Sequence, residues 1–389
     1  MSVVLLVVGL MLLIGLVVVH EFGHFLMARR GGVEVEEFGI FFPPRLYGRK
    51  TKTGWLFSIN LVPLGGFVRM KGEHDSDTTP GSFGAASLWV KTKIMAAGVT
   101  MNLLVALVLF TIIALIGMPQ LVDNQFTVKS DTRLVTRQTL ITYVEPGSPA
   151  AKAGLQPQDE LQDIALPDYS PVSIDSSKDL PNITKNFAGK TVVLYYTRQG
   201  QPHQGRATLL TTAAVDASRK TNDPKGYLGV VPTDFTLQRS TWSAPVVAVG
   251  LSAQLTGLTF QGLGHALGGL GSLIAGTVTG NTAAREHGQT SASDQVTGPV
   301  GIFVILKNGS LLGYQFMLFI IAYISLMLAI MNILPIPALD GGRLWLTLIA
   351  RAIKRPLTAR REELINATGF LVLLCLIIVI TVVDVKRYF

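Results

Sequence analysis

Two histidines and a glutamate, His20, Glu21 and His24, interrupt an apolar run that otherwise reads as a membrane span, LIGLVVVHEFGHFLMARRGG (residues 13–32). A charged side chain at the centre of a bilayer costs roughly 2.5–3.5 kcal/mol even on the lenient scales, so three titratable groups there call for a compensating partner. The spacing names one. Four residues apart on a helix, His20 and His24 share a face, about 6 Å apart along the axis, and both imidazoles can reach one Zn²⁺. Glu21 then sits beside the ion, where it can take a proton from water and make the nucleophile that attacks a carbonyl. The competing reading is two helix histidines hydrogen-bonded to neighbouring helices; a bilayer disfavours it, because uncompensated polar groups are costly there.

A catalytic zinc takes three protein ligands. The single cysteine, Cys375, lies within an apolar run, so neither an internal disulfide nor a cysteine-ligated zinc is available. His74 falls in an acidic loop and His203, His265 and His287 fall in the long segment between the second and third apolar runs, away from the depth of His20 and His24. Asp340 follows Pro335-x-Pro337, which stops a helix and turns the chain, and Gly341-Gly342 permits tight backbone geometry beside it. A turn aspartate facing water is the alternative for this residue.

Elements must bring these groups together. Of 389 residues 49% are hydrophobic and 15% charged, with mean hydropathy +0.43, a membrane-protein composition. The net charge of +8 does not indicate nucleic acid, because the basic residues flank apolar runs instead of interleaving with aromatics in one patch. Four stretches suit a transmembrane helix: residues 3–28, 94–118, 316–334 and 367–383. The first lacks the basic n-region and small-x-small site of a cleaved signal peptide. Basic residues gather between the first two spans (Arg29 to Lys93) and between the last two (Arg343 to Arg361), which predicts that both loops are cytoplasmic and both termini extracytoplasmic. Spans one and three then run in one direction, and NILPIPALDGG (residues 332–342) arrives at the depth of the histidines. That parity requires residues 243–276 not to cross; their glycines, with Gln254, Gln261 and His265, predict an amphipathic helix lying on the membrane surface.

Between the first two spans WLFSINLVPLGGFVRM (residues 55–70) alternates around Pro63 and Gly65-Gly66, which predicts a β-hairpin or two short strands. Its edge could pair with an extended peptide, or the element could simply pack on the helices. Outside, residues 126–231 read as a compact β-rich unit, with strand-like runs between Gly, Pro and Asn turns and one short helix signal at 149–154. Residues 281–295 read as a polar loop.

VVVHEFGHFLMAR, LVPLGGFVRM and NILPIPALDGG, in this order across four spans with a domain in the outer loop, resemble the bacterial site-2 proteases, the RseP-type regulated intramembrane zinc metalloproteases. The resemblance covers nearly the whole chain. It implies a polytopic α-helical membrane protein of the cell membrane, with a cytoplasmic membrane-associated β-hairpin and an extracytoplasmic PDZ-like domain. It divides the chain at 1–118, 119–232, 233–315 and 316–389. It implies Zn²⁺ held by His20, His24 and Asp340, Glu21 as catalytic base, and a substrate path at Asn332, Asn102, Gly65, Gly66 and Phe67. EPGSPAAKAGLQPQDEL is similar to a PDZ signature, with Gly226, Tyr227, Leu228 and Gly229 as its ligand loop. The implied partners are lipid and single-span membrane proteins, such as anti-sigma factors or signal-peptide remnants, cut after an earlier cleavage. Three positions depart from the family pattern: Val99 replaces a proline before Asn102, FFPP (residues 41–44) replaces Gly-Phe-Gly-Pro, and Gln158 replaces a glycine. Gly298-Pro299 matches. A transporter or ion channel using the same intramembrane His and Asp, and a catalytically dead adaptor, are the competing functions; retention of Glu21 speaks against the adaptor.

Overall fold

The first apolar run is rich in β-branched valine, yet it forms one 29-residue helix, α1 (Ser2–Arg30). Hydrocarbon offers no water to a free N–H or C=O, and a helix satisfies its backbone within a single segment. The computed structural model describes residues 2–74, 76–221, 224–283, 298–354 and 358–388. By Cα packing the chain divides into one compact unit of residues 1–112 and 245–389 and another of residues 113–244.

In the first unit, α1 is followed by strands β1 (Val35–Lys50) and β2 (Leu56–Met70) and by helix α2 (Leu88–Ile116). Segment 37–40 of β1 pairs with 56–59 on one side and 66–69 on the other, while 45–50 pairs with 56–60. Two bent strands thus make a four-segment sheet whose edges are 45–50 and 66–70. The halves of the expected hairpin over residues 55–70 do not pair with each other; they flank β1, a strand whose prolines, glycines and basic residues disguise it as a loop. Glu37, 2% exposed, explains how the layers stay in register. Its Oε1 accepts from Arg45 Nη2 at 3.0 Å and its Oε2 from Arg69, so one buried carboxylate ties both edges to the central segment.

The helices after the second unit are α6 (Ala244–Thr279), α7 (Pro299–Gly309), α8 (Tyr314–Ile333), α9 (Asp340–Ala352) and α10 (Ala359–Tyr388). Among the described residues five helices are long and apolar enough to cross a membrane, including Ala244–Thr277; the chain is a multi-pass membrane protein. Four of these correspond to the expected spans, and the fifth, Ala244–Thr277, qualifies by length and composition. Residues 243–276, expected on the membrane surface, form a continuous 36-residue helix whose Thr259 Oγ1 lies 3.5 Å from Met327 Sδ in α8. Glycine and glutamine lower the hydropathy of this stretch, but small residues are common where membrane helices pack.

Helices α1 and α8 run side by side in one direction. A Cβ on Gly9 would lie 2.5 Å from Met317 Sδ near their starts, Leu16, Leu306, Met317, Ile320 and Ile321 form a shared core, and toward the other end of α1 His24 meets Asp340, which follows α8. Helix α10 is fastened to α7 by Asp384, whose buried Oδ2 accepts from Gly298 N at 3.0 Å and Gly301 N at 2.8 Å. Those are free N–H groups of a helix start, and Pro299 between them has none to satisfy. Asp384→Ala should cost about 1–3 kcal/mol, a lost cap plus buried unpaired donors. A lower melting temperature of the detergent-solubilised protein checks it, and an unchanged one refutes the capping role.

The second unit is an antiparallel sheet of β3 (Met118–Pro119), β4 (Arg133–Val144), β5 (Glu160–Ala165), β6 (Val172–Ser173), β7 (Thr191–Arg198), β8 (Gln201–Thr208) and β9 (Val230–Arg239). Its order is β3-β9-β4-β5-β7-β8, with β6 on β5. Helices α3 (Pro149–Lys152), α4 (Leu180–Asn186) and α5 (Thr212–Ser218) complete it around Ile141, Leu161, Ile164, Val192 and Leu194. The expected helix at 149–154 is α3; the two short helices at 180 and 212 carry no sequence period of their own. Asp131 ties down the turn that follows β9, accepting from Ser243 Oγ at 2.6 Å and Thr241 N at 2.7 Å. These donors, Ser243 first, keep its carboxyl below the usual carboxylate range. Of the loop expected at 281–295, all beyond residue 283 lies outside the described residues.

Candidate metal centre

His20 Nε2 and Asp340 Oδ2 are 2.9 Å apart, His24 Nε2 and Asp340 Oδ2 3.0 Å, and the two Nε2 atoms 3.2 Å. Among the described residues this is the group of side chains able to hold a metal ion. Ligands about 2.0–2.1 Å from a tetrahedral Zn²⁺ are about 3.3 Å from one another, so the three atoms nearly outline one face of that tetrahedron. Two imidazoles and a carboxylate suit zinc chemically. Both histidines are more than nine-tenths buried, while the Asp340 side chain keeps 28% exposure.

Each imidazole is aimed by its other nitrogen. His24 Nδ1 lies 2.8 Å from the Ile94 carbonyl, which can only accept; Nδ1 therefore carries the proton and Nε2 presents its lone pair. His20 Nδ1 lies 3.1 Å from the Asn102 side-chain amide, whose Oδ1 is buried without a hydrogen-bond partner. Turning that amide over gives Oδ1 the proton of His20 Nδ1 and again frees Nε2, which is the assignment the network requires. Asn102, expected on the substrate path, thus stands behind His20, and its backbone carbonyl accepts from Ser325 Oγ of α8 at 2.7 Å. Asn102→Ala should weaken zinc affinity about 10–100-fold, the usual loss for an outer-shell partner. Competition with a chromophoric chelator reads it directly, and unchanged affinity would contradict this arrangement.

Gly341 and Gly342 are the reason Asp340 can arrive. A Cβ on either would overlap the backbone of the 333–337 turn at Leu334 and Ile336, so α9 starts pressed against that turn as only glycine allows. Two further glycines were not anticipated from the sequence. A Cβ on Gly23 would lie 2.7 Å from Ala97 O, and one on Gly98 would lie 2.5 Å from both His20 Cε1 and His24 Nε2. They let α1 and α2 touch at the histidines, and the run Ala96-Ala97-Gly98 was the available signal.

Glu21 interacts electrostatically with His20, His24 and Asp340, and the Val68 backbone N–H faces it. Edge segment 66–70 passes alongside: a Cβ on Gly66 would lie 3.2 Å from Glu21 Cγ. Phe67 points to the other face and stacks on Phe42, ring centroids 6.3 Å apart; Gly65 also adjoins Phe42. Asn332 sits half-buried in the last turn of α8. In the second unit Tyr227 and Leu228 are buried, and the carbonyls of Tyr227, Leu228 and Gly229 accept from Leu210, Ala150 and Glu145 N–H groups. Gly229 has φ +77°, and a Cβ there would overlap Ser148, so this loop needs its glycine. Gly226 opens the same loop.

The chain matches the profile of peptidase family M50 over residues 8–376. It is 28% identical to a Clostridium perfringens protein named as a zinc metalloprotease, covering 95% of each chain. It is 25% identical to the zinc metalloprotease RasP of Shouchella clausii, covering 96% of this chain and 97% of RasP. Similarity to eep of Enterococcus faecalis, named as a protease, is 24% over 96% and 97%.

Proposed function

Because the chain belongs to peptidase family M50, we propose that it is a zinc-dependent intramembrane endopeptidase acting on the transmembrane segments of single-span membrane proteins. The observation that carries this reading is the juxtaposition of three ligand atoms within 3.2 Å and a half-buried glutamate beside a strand edge. His20, His24 and Asp340 would hold the zinc, which when bound polarises a carbonyl and lowers the pKa of water. A peptide bond inside a helix is shielded by its hydrogen bonds, so the substrate must first become extended. Segment 66–70, through Gly66 and its neighbours, would supply replacement partners by β-augmentation and lay the opened segment over Glu21. Glu21 takes the proton of the attacking water and returns it to the leaving amine. Asn332, at the end of α8, would contact the substrate strand.

The basic loops argue for extracytoplasmic termini and a site near the cytoplasmic face. Residues 119–232 would act as a PDZ-like docking or size filter for substrates trimmed by an earlier cut, with the 226–229 loop receiving the new end. Deleting residues 126–231 should abolish preference for pre-trimmed substrates; an unchanged preference argues against the filter. The main test is co-expression with single-span membrane proteins, scored by fragment size. Fragments formed by the wild type and absent with Glu21→Gln support the endopeptidase, whereas equal fragments from both reject it.

A further inference from the structure

We infer that Arg343 is a positioning residue that sets the Asp340 carboxylate and links it to the strand edge beside Glu21. Asp340 begins α9 without a side-chain cap on the helix start, and Ala338 just before it has φ +72°, a left-handed conformation that costs a non-glycine residue roughly 1–2 kcal/mol. Such a turn persists only when its surroundings over-determine it. Arg343, one helical turn after Asp340, provides that hold. Its Nη2 donates to the Glu73 carbonyl, Nη1 lies 3.9 Å from Glu73 Oε2 and Nε 3.5 Å from Glu362 Oε1, and the guanidinium sits 4.7 Å over the Phe83 ring.

Both partners lead somewhere. Glu362, 4% exposed, lies in the first turn of α10, and His74 Nδ1 is 3.9 Å from its other oxygen. Glu73 Oε1 accepts from the backbone of Met70 at 3.0 Å, and Met70 ends β2, the strand whose Gly66 adjoins Glu21. Met70, Phe83 and Leu344 also share one buried core. A single guanidinium therefore joins the helix carrying Asp340, the helix beside it and the end of the edge strand. Arginine suits this place because its planar fork reaches several acceptors at once and stacks on an aromatic face; lysine offers one point charge.

The inference rests on the metal-site reading above, and its test uses zinc alone as probe. Arg343→Met should lower zinc affinity about 10–100-fold by chelator competition, as outer-shell losses do. Arg343→Lys should recover only part of it. Since the buried Glu362 would lose its guanidinium partner, the double variant Arg343→Met, Glu362→Gln removes both charges and keeps the fold readable; it should bind zinc as weakly as Arg343→Met. Wild-type zinc affinity in either the Lys variant or the double variant overturns the inference. Cleavage is scored separately: a wild type that binds zinc but cuts no membrane segment rejects the endopeptidase while leaving the role of Arg343 standing, and a wild type that takes up no zinc rejects both.

Discussion

Glu21→Gln should retain zinc at one ion per chain and lose cleavage by about 10²–10⁴-fold, the usual share of a general acid–base group. That loss corresponds to roughly 3–5 kcal/mol of barrier at 1.36 kcal/mol per decade. The substitution keeps the shape of the side chain and an oxygen able to accept from the Val68 N–H that faces it, so the strand edge stays in place. What disappears is the capacity to take a proton. The three ligand atoms belong to His20, His24 and Asp340, none of which is altered. Single-turnover fragment formation with parallel metal analysis measures both quantities. A variant that still cuts at the wild-type rate would place the proton acceptor elsewhere, and a transporter built on the same residues could keep its function.

Gly98→Ala should be nearly as damaging although it removes no polar atom. Its methyl would stand 2.5 Å from His20 Cε1 and His24 Nε2, inside van der Waals contact. Helix α2 has little freedom to retreat: Gly23 of α1 already abuts Ala97, and Asn102 is held to α8 through Ser325. The imidazoles must therefore move, and a displacement near 1 Å can cost on the order of 10² in a positioned site. Intrinsic propensity pushes the other way, because alanine favours a helix over glycine by about 1 kcal/mol; a weakened site would thus come from crowding alone. Gly257→Ala is the control, since nothing lies within 4 Å of the Cβ it would add. Cleavage should fall about 100-fold in the first variant and stay constant in the second, and equal rates would show that the pocket has room to spare.

The chemistry of the site was legible in the sequence to the extent that it is local. His20, Glu21 and His24 declare themselves by helical spacing, and Asp340 by a proline break with two glycines at the matching depth. Their supports are tertiary and have no period. Gly98 matters because another helix crosses it, and Arg343 because a loop some 270 positions earlier folds onto it. For residues 243–276 the sequence signals a helix, which the structure forms without interruption, but hydropathy averages away the difference between a helix that faces water and one that faces other helices through small residues. Strand β1 was hidden by Pro43-Pro44 and Arg45, yet Arg45 pairs with a buried carboxylate and the prolines lie at the bend. Composition recorded the turn and missed the sheet around it.

X-ray absorption at the zinc edge of the purified wild-type protein tests the central claim most directly. Two imidazole nitrogens and at least one carboxylate oxygen at about 2.0–2.2 Å are expected, with the oxygen shell altered by Asp340→Ala and one imidazole lost in His24→Ala. A protein that carries no zinc, or a coordination shell unchanged by either substitution, would contradict the account.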